Sequence, residues 1–170
     1  MELSDSQLIK ATRDVVWAAL NDPEVLKACI PGCETVEKLS ETELQAKVTL
    51  KIGPVKASFT GRVTLSNLNP PHGYTISGEG QGGVAGHARG GADVRLEALS
   101  DEETMLHYEV KAEVGGKIAQ LGARLIDGTA KKLAGEFFET FSEQLAPPAP
   151  EAEASAAEQP KGKWWKFGKA

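Results

Sequence analysis

Residues 44–65 read LQAKVTLKIGPVKASFTGRVTL, and their alternation decides the fold. Leu44, Ala46, Val48, Leu50 and Ile52 fall on one parity, with Gln45, Lys47, Thr49 and Lys51 on the other. Gly53-Pro54 breaks the run. Val55, Ala57, Phe59, Val63 and Leu65 then oppose Lys56, Ser58, Thr60, Arg62 and Thr64. A period of two with one apolar and one polar side predicts antiparallel strands with one dry face and one wet face.

The same pattern extends in both directions. Residues 2–11 alternate loosely and read as a first strand, while 74–80, 84–99 and 103–116 continue the series. In the last of these, Leu106, Tyr108, Val110, Ala112 and Val114 share a face. Two short helices interrupt the strands early. TRDVVWAALND (12–22) has Thr12 as cap and Asp14 in the first turn. DPEVLKAC (22–29) has Asp22 as cap and Pro23 at its first position, where a missing N–H is not needed. From about residue 117 the period changes: Ile118, Leu121, Leu125, Leu133, Phe137, Phe141 and Leu145 mostly recur at three or four, predicting one helix of more than about 25 residues.

The order is therefore a strand, two short helices, a run of about six antiparallel strands and a long amphipathic helix. A sheet with one apolar face must bury it, and the long helix is the element available. The expectation is an α+β domain of the helix-grip kind, a curved antiparallel sheet of about seven strands around a long C-terminal helix, over residues 1–145.

The stretch GEGQGGVAGHARGGADV (78–94) contains a formal G-x-G-x-x-G at Gly78, Gly80 and Gly83. A dinucleotide fingerprint needs a helix opening after it, and alternation continues instead. Every other residue at Gly82, Val84, Gly86, Ala88, Gly90 and Ala92 is small. If these positions face inward, either an internal apolar cavity remains, or helix and sheet approach closely with plain bulges.

Charge separates the end of the chain from the rest. The whole chain carries −5, while residues 161–170 hold four lysines and no acid, and 146–160 hold three glutamates. The first 145 residues are thus acidic, at −6, which argues against nucleic-acid binding, where phosphate contacts dominate. Residues 146–160, rich in Pro, Ala and Glu, read as a disordered linker that spans at most ~45 Å if extended. In PKGKWWKFGKA (160–170), Lys161, Lys163, Trp164, Trp165, Lys166, Phe167 and Lys169 are the residue types that settle at a membrane interface. Four lysines at about 1 kcal/mol each correspond to roughly millimolar affinity for an anionic surface, so aromatic burial must supply the rest. Attachment of this kind is reversible and weakens with salt. A docking peptide for a partner's apolar groove, or an end without a role, are the other readings.

No stretch approaches the ~20 apolar residues of a membrane span, and the first residues carry no secretory pattern. Cys29 and Cys33 are expected to be free, packed thiols, and a zinc site would need two further ligands. His72 falls in a loop, and His87 and His107 fall on the polar parity. A His107–Glu109 pair is conceivable, although alternating polar residues produce such pairs by default. No nucleophile elbow, phosphate loop or carboxylate pair is present. The expectation is a non-enzymatic, cytoplasmic protein.

VWAALNDPEVLKACIPGCE, GPVKASFTGRVTL, GYTISGEGQGGVAGHARGGADVRL and LIDGTAKKLAGEFFETF together resemble the carbon monoxide dehydrogenase G-subunit family, which belongs to the START-like, helix-grip superfamily. The resemblance covers roughly residues 1–145. It implies a seven-stranded sheet gripping the helix, with a hydrophobic tunnel between them. It also implies a non-catalytic accessory of a molybdenum-containing CO dehydrogenase or related hydroxylase. In that role the protein would bind a respiratory quinone (menaquinone or ubiquinone) and recruit the enzyme to the inner face of the cell membrane. The resemblance defines no catalytic residues. Parity nominates Val48, Leu50, Val55, Phe59, Tyr108, Leu121, Leu125 and Phe137 as tunnel positions, joined by Gly82, Gly86 and Gly90; each also suits a plain core. Two other functions compete with the carrier: an assembly or maturation factor for the molybdenum enzyme, and an enzyme acting on a substrate in the tunnel. The last requires His87, His107 or Glu109 to face inward.

Overall fold

A computed structural model describes residues 1–145. Strand β1 (Glu2–Ile9) is followed by helices α1 (Arg13–Leu20) and α2 (Pro23–Cys29). The meander β2 (Cys33–Lys38), β3 (Glu43–Ile52), β4 (Val55–Asn69), β5 (Gly73–Gln81), β6 (His87–Ala98) and β7 (Thr104–Gly115) comes next, and α3 (Ala123–Leu145) ends the domain. All neighbouring strands pair antiparallel in the order β1-β7-β6-β5-β4-β3-β2, so the first strand closes one edge beside the last. The curved sheet holds α3 against its concave face, as the alternation predicts.

Local chemistry sets the helix starts. The Thr12 hydroxyl accepts from the Val15 N–H at 3.2 Å, and the Asp22 carboxylate from the Glu24 N–H at 2.9 Å, with Pro23 directly after that cap. Each cap satisfies one of the donors that a helix start leaves open. Thr104, fully buried, donates its hydroxyl to the Ala11 carbonyl at 2.8 Å and pins the turn into α1 onto β7.

The core forms where α1, α2 and the second half of α3 meet the sheet. Ile9, Val16, Leu20, Leu65, Leu96, Leu106 and Phe141 are its buried members. Phe137 stacks on Phe141 with centroids 5.6 Å apart, and Phe138 stacks on Tyr108 at 5.2 Å.

Two sequence expectations are corrected. The final helix is shorter than expected: a 3-10 turn over Lys117–Leu121 precedes α3, which has 23 residues. Gly122 separates them with φ +97, a conformation favouring glycine that no helix contains. Apolar spacing alone runs through this break. Likewise, residues 83–85 form a 3-10 turn rather than strand, and Val84 is 94% exposed.

Candidate functional site

A cavity of about 490 Å³ lies between the concave face of the sheet and α3. Its walls come from every layer of the fold: Leu20 and Leu26 from the short helices, Leu44, Val63, Ile76 and Val94 from four strands, and Leu133, Phe137 and Phe138 from α3. Two side chains in the lining, Tyr74 and Tyr108, carry a hydroxyl, and none carries a charge. The volume is that of a small-molecule site, and the chemistry is that of a dry one.

Why the space exists can be read from the residues that face it. Ala130 and Ala134, one turn apart on α3, look onto a sheet that carries Ala46 and Ala92. Small residues on both surfaces leave a gap that neither can close, while Phe137 one turn later walls it and Phe141 two turns later is buried in the core.

Alongside lies a groove between the Pro31–Gly32 turn, the tip of the β3–β4 hairpin and the first turns of α3. Leu50, Leu121 and Leu125 give it an apolar floor, and Lys51, Arg124 and Lys132 stand around it with one acid, Glu136. Leu133 lines both the groove and the cavity, so the two spaces are neighbours across one side chain of α3.

Of the positions nominated from parity, Tyr108 and Phe137 line the cavity, whereas Leu50, Leu121 and Leu125 line the groove. Val48, Val55, Phe59, Gly82 and Gly86 line neither space, and Gly90 borders a shallow depression with Arg62, Glu79 and Lys111. The glycines serve close approach instead. A Cβ on Gly82 would collide with the Phe59 ring, and one on Gly86 with the Gly115 carbonyl. Val48 and Val55 lie near the β3–β4 hairpin, whose tip meets Leu125 of α3, and Phe59 packs over Gly82. Sequence reasoning missed Leu3, Leu44, Val63, Tyr74, Ile76, Val94 and the alanines of α3. Their signal was the same alternation, without anything to say which end of each strand faces the helix.

The polar candidates face elsewhere. His107 bonds Ser6 Oγ at 2.7 Å and Glu97 Oε1 at 3.0 Å on the outer face, rather than Glu109. Glu109 and His87 are exposed, and neither lines the cavity. A reaction in the cavity is thereby left without the groups the sequence offered it. Cys29 is buried and Cys33 half-buried, both free, and burial pushes both thiols up. Among the described residues no cluster of His, Cys, Asp or Glu suits a metal, and no helix is long and apolar enough to cross a membrane. The aromatic-basic segment Lys161, Lys163, Trp164, Trp165, Lys166, Phe167 and Lys169 lies outside the described residues, as does the linker 146–160.

Solved structures share this architecture. A START superfamily protein from Mycobacterium smegmatis is 13% identical and superposes with a TM-score of 0.65, covering 85% of this chain and 96% of that one. The Zhui aromatase/cyclase from Streptomyces sp. R1128 is 14% identical with a TM-score of 0.62, covering 90% and 98%. At such identities the likeness is one of fold, and it defines a START-like domain. A conserved protein from Geobacillus kaustophilus is 33% identical, covers 86% of this chain and 95% of its own, and has a TM-score of 0.81. Residues 6–146 match the carbon monoxide dehydrogenase G-subunit (CoxG) family, and the chain belongs to that family. No curated protein matches it in sequence.

Proposed function

We propose that this protein is a non-catalytic accessory of a molybdenum-containing CO dehydrogenase, or a related hydroxylase, and carries a respiratory quinone in its cavity. Residues 161–170 would hold it at the inner face of the cell membrane, where the quinone accepts the enzyme's electrons and exchanges with the bilayer. The observation that carries this reading is the apolar cavity. An apolar space of about 490 Å³ in the middle of the fold forfeits the packing contacts that a filled core makes. Such a space is better explained by an occupant. Family membership supports the choice of partner enzyme, and the residue types of the basic-aromatic segment support a membrane surface.

Lipid extraction of the purified protein followed by mass spectrometry tests the cargo. A co-purifying menaquinone or ubiquinone is expected; a protein that neither holds an apolar molecule nor binds added quinone is not a carrier. Liposome flotation tests the tether: the full chain should float with anionic vesicles and lose them as salt rises, and residues 1–145 should stay behind. Equal flotation of both would remove the segment's role. Deleting the gene should leave a dehydrogenase active with artificial acceptors but uncoupled from respiration. Inactive, cofactor-poor enzyme would instead mark a maturation factor.

A further inference from the structure

The two hydroxyls in the cavity wall differ in their surroundings. Tyr74, Val94 and Tyr108 form one transverse row across β5, β6 and β7, about 10 Å from end to end at the usual strand spacing. Tyr108 stands toward the edge strand. Burial raises its hydroxyl's pKa, the Asp5 carboxylate adds to this, and Gln7 beside it opposes. Tyr74 stands at the inner end, 6% exposed, with its ring edge-on to Trp17 of α1 at 5.2 Å. Burial alone acts on its hydroxyl, which has no hydrogen-bond partner among the described residues.

A buried tyrosine hydroxyl ordinarily finds a partner. Water is a poor one here, because an ordered water needs two to four polar neighbours and the only other side-chain hydroxyl in the cavity lining is that of Tyr108. On the β6 side the strand carbonyls are engaged in the ladder, and on the β4 side the pairing is interrupted by a bulge between Ser66 and Asn69. The missing acceptor is one that arrives from outside.

We propose that Tyr74 fixes the orientation and class of the ligand: its hydroxyl donates a hydrogen bond to a carbonyl-type oxygen at the ligand's leading end. The apolar tail then runs along the strands toward the groove at the β3–β4 hairpin. This rests on the carrier reading above and narrows it. A hydrocarbon of the same shape leaves the hydroxyl unpaired and is disfavoured, whereas a quinone ring satisfies it.

The experiment compares the full chain with Tyr74→Phe, titrating each with a prenylated 1,4-naphthoquinone and with naphthalene bearing the same tail. The wild type should prefer the quinone by about tenfold, and Tyr74→Phe should erase that preference while binding the hydrocarbon unchanged. The infrared carbonyl stretch of the bound quinone should lie lower in the wild type than in the variant. The variant loses only an unpartnered hydroxyl, so it should melt no lower than the wild type. Equal quinone affinity and an equal stretch in both proteins overturn the inference and leave the carrier standing. A wild type that binds neither probe overturns both.

Discussion

Two sets of small residues sit on the inward parity of this sheet, and they do different things. Gly82, Gly86 and Gly90 surround the turn that joins β5 to β6, where backbone meets backbone and Phe59 lies over Gly82. Ala46 and Ala92 lie farther along the strands, opposite Ala130 and Ala134 of α3, and there a cavity opens. Missing side chains produce space only where the opposing surface is also small and too rigid to move in. Elsewhere they let main chains approach.

The sharpest way to break this contrast is Gly86→Val. Gly86 has φ +119, and a Cβ there would meet the Gly115 carbonyl, so strain and collision act together. A loss of about 3 kcal/mol is expected in chemical denaturation, with ligand affinity of the folded fraction little changed. Unaltered stability would show that the turn does not need its glycine.

The converse substitution belongs in the other set. Ala134→Leu adds apolar volume where space already exists, at only a small cost in helix propensity. It should stabilise the domain by about 1 kcal/mol and reduce quinone binding at least tenfold. A variant that still carries its ligand in full would place the cargo elsewhere.

The smallest effect concerns pH. Burial holds the Tyr74 pKa above its ordinary value of 10.0, so between these values the folded protein keeps a proton that the unfolded chain releases. Its contribution is present below pH 10 and declines above it. Tyr74→Phe should flatten that alkaline decline by about 1 kcal/mol at pH 11, measured as the difference between two denaturation profiles. Parallel profiles would mean that the hydroxyl is better solvated than its surroundings suggest.

Much of the frame was legible because its causes are local. Alternation at 44–65, the caps at Thr12 and Asp22 and the apolar stripe of α3 depend on neighbours in sequence, and each reappears in the structure. The edge strand β2 gave a weaker signal, since CETVEK offers only Val36 as a large apolar side chain among its polar residues. The site was legible in kind rather than in place. Tyr108 and Phe137 line the cavity, whereas Val55 and Phe59, on the same dry parity, do not.

The sequence by itself determined which side of each strand is dry, where the short helices begin and that one amphipathic helix must cover the sheet. These follow from side-chain periods and from hydrogen-bond needs within a few residues. Only the tertiary structure decided where along the strands the helix comes down. That depends on sheet register, on curvature and on the break at Gly122, and it sets the alanines of α3 over the middle of the sheet. The same placement left Tyr74 with a buried hydroxyl and no partner.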